Sequence, residues 1–401
     1  MAQIPSGNVV RSLLKYALNP MFKNALAALA LAAISYGSAH AQVSWLDQEA
    51  HRPYQRQPGT DSTTPTGYTP QLMRHAYGFD QIANQGAGQI IGIVDGYNYA
   101  SVESDLGVFT SQFGLPACTI ANGCLTVIYA TGTKPPANAG WSGETSLDVQ
   151  WAHAMAPQAK ILLVEAPNGS TKSLLEAVPV AVQNGATVVN MSWGTNREPP
   201  DEQQYDPFFF NNSSVTYINA SGDSGIYLFG YPGASPLVVG AGGTTLKLDS
   251  SGDIVSETAW SGSGGGQSLY FFEPSYQDGA QSSGKRGVPD VAYNANPATG
   301  VPVYDSEDGN WAQTGGTSAA SPQWCAIVAI ANSIRAGMGK GAIGVNFLNV
   351  AYANPAAFHD ITKGANGTCG TECQAGPGYD FVTGLGSPMA PQVVDALVAA
   401  P

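Results

Sequence analysis

Short apolar runs recur along this chain, at Gln89–Asp95, Lys160–Glu165, Ala186–Asn190, Val215–Ala220 and Pro236–Ala241. Each is rich in Ile, Leu, Val or Ala, and each is too short for an ordinary helix. They read as strands buried on both faces, which is how parallel sheets look in sequence. Helical spacing lies between and after them. Ser173–Gln183 carries one such pattern, Gly143–Pro157 a second with a proline stop, and a long apolar stretch from Thr317 to about Arg335 a third. Strands alternating with helices predict an α/β fold with a mostly parallel sheet. In such folds ligands bind beyond the carboxyl ends of the strands, so the chemistry should follow those runs. No repeat or linker interrupts residues 69–401, which read as one domain, whereas residues 42–68 are polar, rich in Gln, Thr and Pro, and read as a flexible leader.

The first 41 residues have a different character. Arg11, Lys15 and Lys23 precede an apolar run from Ala25 to Ile34, and Ala39-His40-Ala41 has the small residues of a cleavage site. A bilayer span needs about 20 apolar residues, so this run predicts a cleaved signal peptide over 1–41 and not an anchor. The protein is then expected outside the cytoplasm, extracellular or periplasmic, with no stable membrane association. Without those residues the chain keeps 13 Lys and Arg against 29 Asp and Glu, a formal charge of −16. That balance excludes nucleic acid as a partner, since phosphate binding needs clustered basic side chains. It also suits acid: once carboxylates are protonated, few positive charges remain to repel one another. Of five cysteines, Cys118 and Cys124 flank one short segment and Cys369 and Cys373 another, so two local disulfides are expected, with Cys325 a buried thiol.

Three segments carry candidate chemistry. Gly315-Gly-Thr-Ser-Ala-Ala-Ser-Pro322 opens the long apolar helix, with Ser318 where unpaired N–H groups and the helix dipole favour negative charge beside a nucleophile. The plainer reading is a helix cap. On Gly143–Pro157, Glu144 and Asp148 stand four residues apart on one helix face. Two adjacent acids repel, which is poor for stability but raises a pKa and so prepares a general base; the plainer reading is a pair of solvated surface acids. His153 falls on the opposite side of that helix and reads as a buried, hydrogen-bonded histidine. Ala220-Ser-Gly-Asp-Ser-Gly225 follows a strand, and Asp223 could simply brace its glycine turn.

Taken together these segments resemble the sedolisin, or serine-carboxyl peptidase, family. GTSxAxP is similar to the nucleophile segment that sedolisins share with subtilisins, GETxLDVxWAHAxAP to the sedolisin carboxylate helix, and SGDSG to the oxyanion segment. The resemblance spans about Thr69 to Pro388. It implies a subtilisin-like three-layer fold, a Ser318 nucleophile with Glu144 and Asp148 as proton-handling carboxylates, and Asp223 in the oxyanion hole. It also implies substrate contacts at Ser192, Trp193 and Gly194, with Gly264 and Gly265 in an opposite wall. Phe358-His-Asp-Ile-Thr362 and Gly376-Pro-Gly-Tyr-Asp380 resemble the family's calcium site, implying one structural Ca2+ held by Asp360 and Asp380 and by carbonyls of Ile361, Gly376 and Gly378.

A subtilisin mechanism is opposed by the histidines: none of His40, His51, His75, His153 and His359 is followed by Gly-Thr. Sedolisins are usually made with a large N-terminal prodomain, which residues 42–68 are too short to form. The expectation is a monomeric, acid-active endopeptidase for protein or peptide substrates. A tripeptidyl-type exopeptidase and a catalytically silent peptide-binding relative are the alternatives.

Overall fold

The computed structural model describes residues 44–401 except Leu228; the signal peptide expected over 1–41 lies outside the described residues. The apolar runs become the middle layer. In chain order its strands are β1 Ile90–Gly96, β2 Leu125–Tyr129, β3 Lys160–Ala166, β4 Val188–Met191, β5 Thr216–Ala220, β6 Val238–Leu248, β7 Ile254–Ala259 and β8 Val291–Asn294. They lie in the order β8-β6-β5-β4-β1-β3-β2, all parallel, with β7 antiparallel to the outer half of β6. From β1 the chain crosses to the edge strand β2, returns to β3 beside β1, and then passes to β4 on the other side and outward from there. The β1/β4 junction is therefore the switch point at which α/β folds place their sites.

Helices cover both faces. Alternation along β1 sends Ile91 and Ile93 into one apolar core and Val94 into the other. The first core lies against α1 Val102–Phe113, α2 Ala139–Met155, α4 Thr317–Gly337 and α5 Ala390–Ala399, and the second against α3 Thr171–Gln183. Helix α3 packs so near the sheet that a Cβ on Gly92 would meet the Ala181 methyl at 3.1 Å. Helix α2 is buried on every side from Trp141 to Met155 and α4 from Thr317 to Asn332, so neither shows a polar face in sequence. One of the few basic residues is spent inside: Arg286 forms a two-pronged pair with Asp290 (2.8 and 2.6 Å) where neither side chain reaches solvent.

Two expectations change here. Cys118 and Cys124 are bonded, whereas Cys369 and Cys373 are not. The one-turn helix Gly370–Cys373 turns the buried Cys373 sulfur toward the Cys369 N–H (2.6 Å) and leaves Cys369 exposed. The polar leader, expected to be flexible, is laid against the domain. Its Gln55–Arg56 pairs antiparallel with Gly315 and Thr314, because backbone groups at a sheet edge pair with any extended chain of suitable register. Among the described residues no helix is long and apolar enough to cross a membrane.

Candidate active site

The sequence-predicted acids meet the serine at the switch point. Asn138 caps α2 through Gly140 N–H (2.8 Å) and sets the start of the helix that carries Glu144 and Asp148. Ser318 stands in the first turn of α4, after Gly316, whose φ of +98° lets the chain turn in from the preceding strand. Ser318, Glu144 and Asp148 are all fully buried. The Ser318 hydroxyl lies near enough to Glu144 to pull its pKa down, yet the Oγ and both Glu144 oxygens lack a hydrogen bond of ordinary geometry.

Asp148 is held from the next strand. Its Oδ2 accepts from Asn190 Nδ2 (2.6 Å) and its Oδ1 from the Ser192 hydroxyl (2.8 Å). Asn190 in turn accepts from the Ser321 hydroxyl at 2.6 Å, so one neutral side chain at the end of β4 links α2 to α4. A further acid, Asp95, ends β1 and is buried without a well-formed partner. Desolvation raises the pKa of Glu144 and Asp148 well above the carboxylate range, with the Asp95 charge next in importance for both. Burial likewise raises Asp95 to about 7, while the Thr145 hydroxyl and the Arg52 guanidinium oppose that rise. Sequence reasoning missed Asp95 and Asn190 as site residues. The available signal was a polar residue at the carboxyl end of an otherwise apolar parallel strand.

Asp223 closes the site from the turn after β5. Its Oδ1 accepts from Thr317 N (2.7 Å) and Thr317 Oγ1 (3.0 Å), while the buried Oδ2 has no partner. Burial raises its pKa to about 7, against the pull of those hydrogen bonds. A Cβ on Gly316 would meet Asp223 Oδ2 at 2.6 Å and the Pro53 carbonyl oxygen at 2.1 Å, so both oxygens crowd the same side of Gly316. The Pro53 oxygen is also the acceptor of Ser318 N–H, at 3.0 Å.

Residues 48–57 thus run along the cleft. His51 and Gly194 exchange both backbone hydrogen bonds (2.8 and 3.0 Å), Ala50 N donates to Gly169 O (2.8 Å) and Thr171 N to Gln48 O (2.9 Å). Arg52 lies 5.1 Å over the Trp141 ring, and Glu49 accepts from that indole at 2.9 Å. The expected substrate-binding residues are redistributed. Gly194 offers its backbone to the cleft, and Ser192 turns its hydroxyl onto Asp148. Trp193 is fully buried and donates to Val94 O at 2.6 Å, so its indole presents nothing to a peptide. Gly264 packs behind the Ser221-Gly222 turn through its N–H to Gly222 O (2.7 Å), and Gly265 lies against the Phe381 and Val288 carbonyls. Opposite Gly194, the leader is held by the Gly169 carbonyl, beyond the end of β3.

His153 donates through Nε2 to Pro116 O (2.8 Å), and burial lowers its pKa; it touches none of the acids. At the C-terminal end, Asp360 Oδ2 accepts from Gly378 N (2.9 Å) and Asp380 Oδ2 from Gly376 N (3.0 Å). Asp380 Oδ1 takes Val382 N and Thr383 N, and no Lys or Arg is among its hydrogen-bond partners although burial raises its pKa to about 6. Ile361 is buried beside them. Carboxylates such as these two are the hard oxygen ligands that a divalent cation takes.

Known proteins resemble this chain in sequence and in fold. A model of the subtilase family matches residues 130–343, more than half of the chain. Kumamolisin from Bacillus sp. (strain MN-32) is 35% identical over 376 residues, covering 84% of this chain and 65% of its own length. Sedolisin from Pseudomonas sp. (strain 101) is 28% identical over 335 residues, covering 75% of this chain and 56% of its own. The chain therefore spans less than two thirds of either relative. A solved Pseudomonas sedolisin, described as a serine-carboxyl proteinase complexed with two molecules of pseudo-iodotyrostatin, superposes with a TM-score of 0.72 at 28% identity, over 83% of this chain and 98% of that one. By family match, fold and site together, the chain belongs to the subtilase family, in its sedolisin branch.

Proposed function

We propose that this protein is a secreted, acid-active serine-carboxyl endopeptidase that works as a monomer on protein and peptide substrates. The observation that carries the reading is the pairing of two unbonded, buried groups, the Ser318 hydroxyl and the Glu144 carboxyl, beside a carbonyl already held by Ser318 N–H. In this mechanism Glu144 takes the Ser318 proton as Oγ attacks the substrate carbonyl carbon. Asp148, fixed by Asn190 and Ser192, shares the excess charge or proton with Glu144. The developing oxyanion is met by Ser318 N–H and by the Oδ2 of a protonated Asp223. Glu144 then returns the proton to the leaving amine, and water resolves the acyl-enzyme by the same steps in reverse.

Acid activity follows from Asp223. With a pKa raised to about 7 it carries its donor proton below neutrality and loses it above. Activity then rises as pH falls from 8, and declines once the coupled Glu144–Asp148 pair is fully protonated; the two limbs belong to the cluster, not to single residues. An endopeptidase is favoured over a tripeptidyl exopeptidase because Gln48 to Gln57 pass continuously along the cleft, with more than three residues ahead of the serine. Asp360, Asp380 and the carbonyls of Ile361, Gly376 and Gly378 would hold one Ca2+, which, when bound, would tie the C-terminal loops to the domain. Export is supported by the basic, apolar and small-residue order of residues 1–41. The test is digestion of unfolded casein between pH 3 and 7 with mapping of cut sites by mass spectrometry. Loss of cutting in Ser318→Ala and Glu144→Gln is expected, and full activity in either folded variant would refute the assignment.

A further inference from the structure

We propose that three buried acids, Glu198, Glu202 and Asp206, form a proton-dependent clasp that holds the Gly194–Thr195 edge of the cleft, and so act as positioning residues for substrate. The inference rests on the peptidase reading above for what the edge binds, but the clasp lies apart from Ser318 and its carboxylates. The edge hangs on Tyr231. Thr195 N donates to Tyr231 O (2.8 Å), Tyr231 N donates to Thr195 Oγ1 (2.9 Å), and a Cβ on Gly194 would meet that same carbonyl oxygen at 3.0 Å. Tyr231 is fully buried, and its hydroxyl donates to Asp206 Oδ1 at 3.0 Å, with the Ser235 hydroxyl on Oδ2 at 2.8 Å. Asp206 opens the one-turn helix Asp206–Phe209, directly after the one-turn helix Glu202–Tyr205 that carries Glu202. Glu198, ahead of both, reaches across to the strand Gly266–Phe272, where it accepts from the Ser268 hydroxyl and from Leu269 N (2.5 Å).

Glu202 is the member that demands a proton. Its side chain is fully buried, and neither carboxyl oxygen receives an N–H or O–H from the surrounding chain. An ionised carboxylate there would have lost its water and gained no donor, which is costly. A protonated one can donate to the facing Glu198 carboxylate, a bond that exists only while the pair holds a proton. The other groups facing the cluster are Tyr205, Tyr231 and Tyr276, with Lys285 at its rim and its Nζ already on Leu269 O (3.0 Å). Arg197 and Asp201 of the same segment are exposed, and among the described residues no ion pair joins any of the three acids to a Lys or Arg. Burial raises Glu202 to about 10, with the Glu198 charge next, and burial raises Asp206 to about 6. The closed clasp therefore keeps protons that an opened segment, with ordinary carboxyls, would lose. Its support is complete below the ordinary values of 4.5 and 3.8 and drains as pH rises toward the raised ones. Above pH 4.5 the Glu202 proton alone lowers the ratio of closed to open segment about tenfold per pH unit. On opening, Tyr231 loses Asp206, and the Gly194–Thr195 edge loses the residue that fixes it for main-chain pairing with an extended peptide.

The experiment compares the full chain with Glu202→Gln, which keeps the side chain's shape and cannot ionise. In a Ser318→Ala background, hydrogen exchange of peptides covering residues 194–210 and 229–235 is followed by mass spectrometry from pH 4 to pH 7.5, corrected for the intrinsic pH dependence of exchange. Expected is a loss of protection in the parent as pH rises and none in Glu202→Gln. With Ser318 present, KM for a peptide substrate is measured from pH 4 to pH 6.5. In wild type it should roughly double at the pH where half the segments are open, since apparent affinity falls with the competent fraction. In Glu202→Gln it should stay flat, with kcat following one pH curve in both proteins. Protection in the parent that does not change with pH, or that Glu202→Gln lowers equally at every pH, overturns the clasp and makes Glu202 a packing residue only. A KM that rises alike in both proteins overturns its link to the cleft edge. A chain that shows the expected exchange but cuts no substrate refutes the peptidase reading and leaves the clasp standing. Should Glu202→Gln not fold, Glu198→Gln, which removes the facing acid, is read by the same outcomes.

Discussion

Asp223→Asn replaces a titrating carboxyl with an amide of the same shape. Its Oδ1 can still accept from Thr317 N and Oγ1, and its Nδ2 takes the place of the unpartnered Oδ2. In the folded wild type the pKa is raised from 3.8 to about 7 by burial. The raised value means the folded state holds its proton where the unfolded chain has lost it. The protonated form therefore supports folding fully below pH 3.8, and that support drains away as pH rises toward 7. Each pH unit in that window is worth about 1.4 kcal/mol, so the cost at pH 8 is on the order of 4 kcal/mol. Asparagine does not titrate and escapes it. Unfolding entropies of roughly 2 cal/mol/K per residue convert that gain to a Tm higher by about 5 °C for a body of this size. The assay is calorimetry at pH 4 and pH 8 in a Ser318→Ala background, which prevents self-digestion. The variant should gain on its parent at pH 8 and not at pH 4. In the active background the same exchange should flatten the neutral-side fall in activity. An equal Tm difference at both pH values would refute the reasoning, because a buried ionisation would then not be its source.

Ser318→Ala should abolish hydrolysis while changing stability by less than about 1 kcal/mol in urea titration, since the hydroxyl it removes makes no hydrogen bond. Trp193→Ala should cost about 3–5 kcal/mol through a core cavity and the lost bond to Val94 O; lower turnover at unchanged urea midpoint would place the indole in the cleft after all. Arg286→Met leaves the buried Asp290 without its cation and should cost about 3–5 kcal/mol, read in the same titration. Chelation should lower the Tm, more at pH 7 than at pH 4, because carboxylate ligands must be ionised to hold a metal; an unchanged Tm together with no calcium in elemental analysis would remove the proposed ion.

Much of the fold was legible because buried parallel strands are locally distinctive. The runs at Gln89, Lys160, Ala186, Val215 and Pro236 all became strands of the central sheet. The strand Leu125–Tyr129 was missed because, at the sheet edge, only Leu125 is buried and the pattern is blurred. The antiparallel pair Val301–Asp305 and Asn310–Gly315 was missed because its partners are set by a turn and by α2, neither of which marks the strands themselves. In the site, Ser318, Glu144 and Asp148 were readable from motif and spacing. Asp95 and Asn190 were not, since their importance comes from strand order, which brings the ends of β1 and β4 side by side. The Trp193 side chain was misplaced for a related reason: a strand end tells where the backbone goes, but the pleat decides which face receives the indole.

The strand order has a further consequence, for when this molecule becomes dangerous to its maker. Ser318 is separated along the chain from Glu144 by most of the central sheet, and Asn190, from a third segment, must stand between their helices. No autonomous fragment of the chain holds both halves of the site. Parallel pairings between distant segments close late, after their loop entropy has been met. A nascent or half-folded chain therefore has a serine without a base, or acids without a serine. Under the proposed mechanism, proteolytic competence arrives with the last long-range contacts, so incomplete copies would be victims of digestion and not its agents.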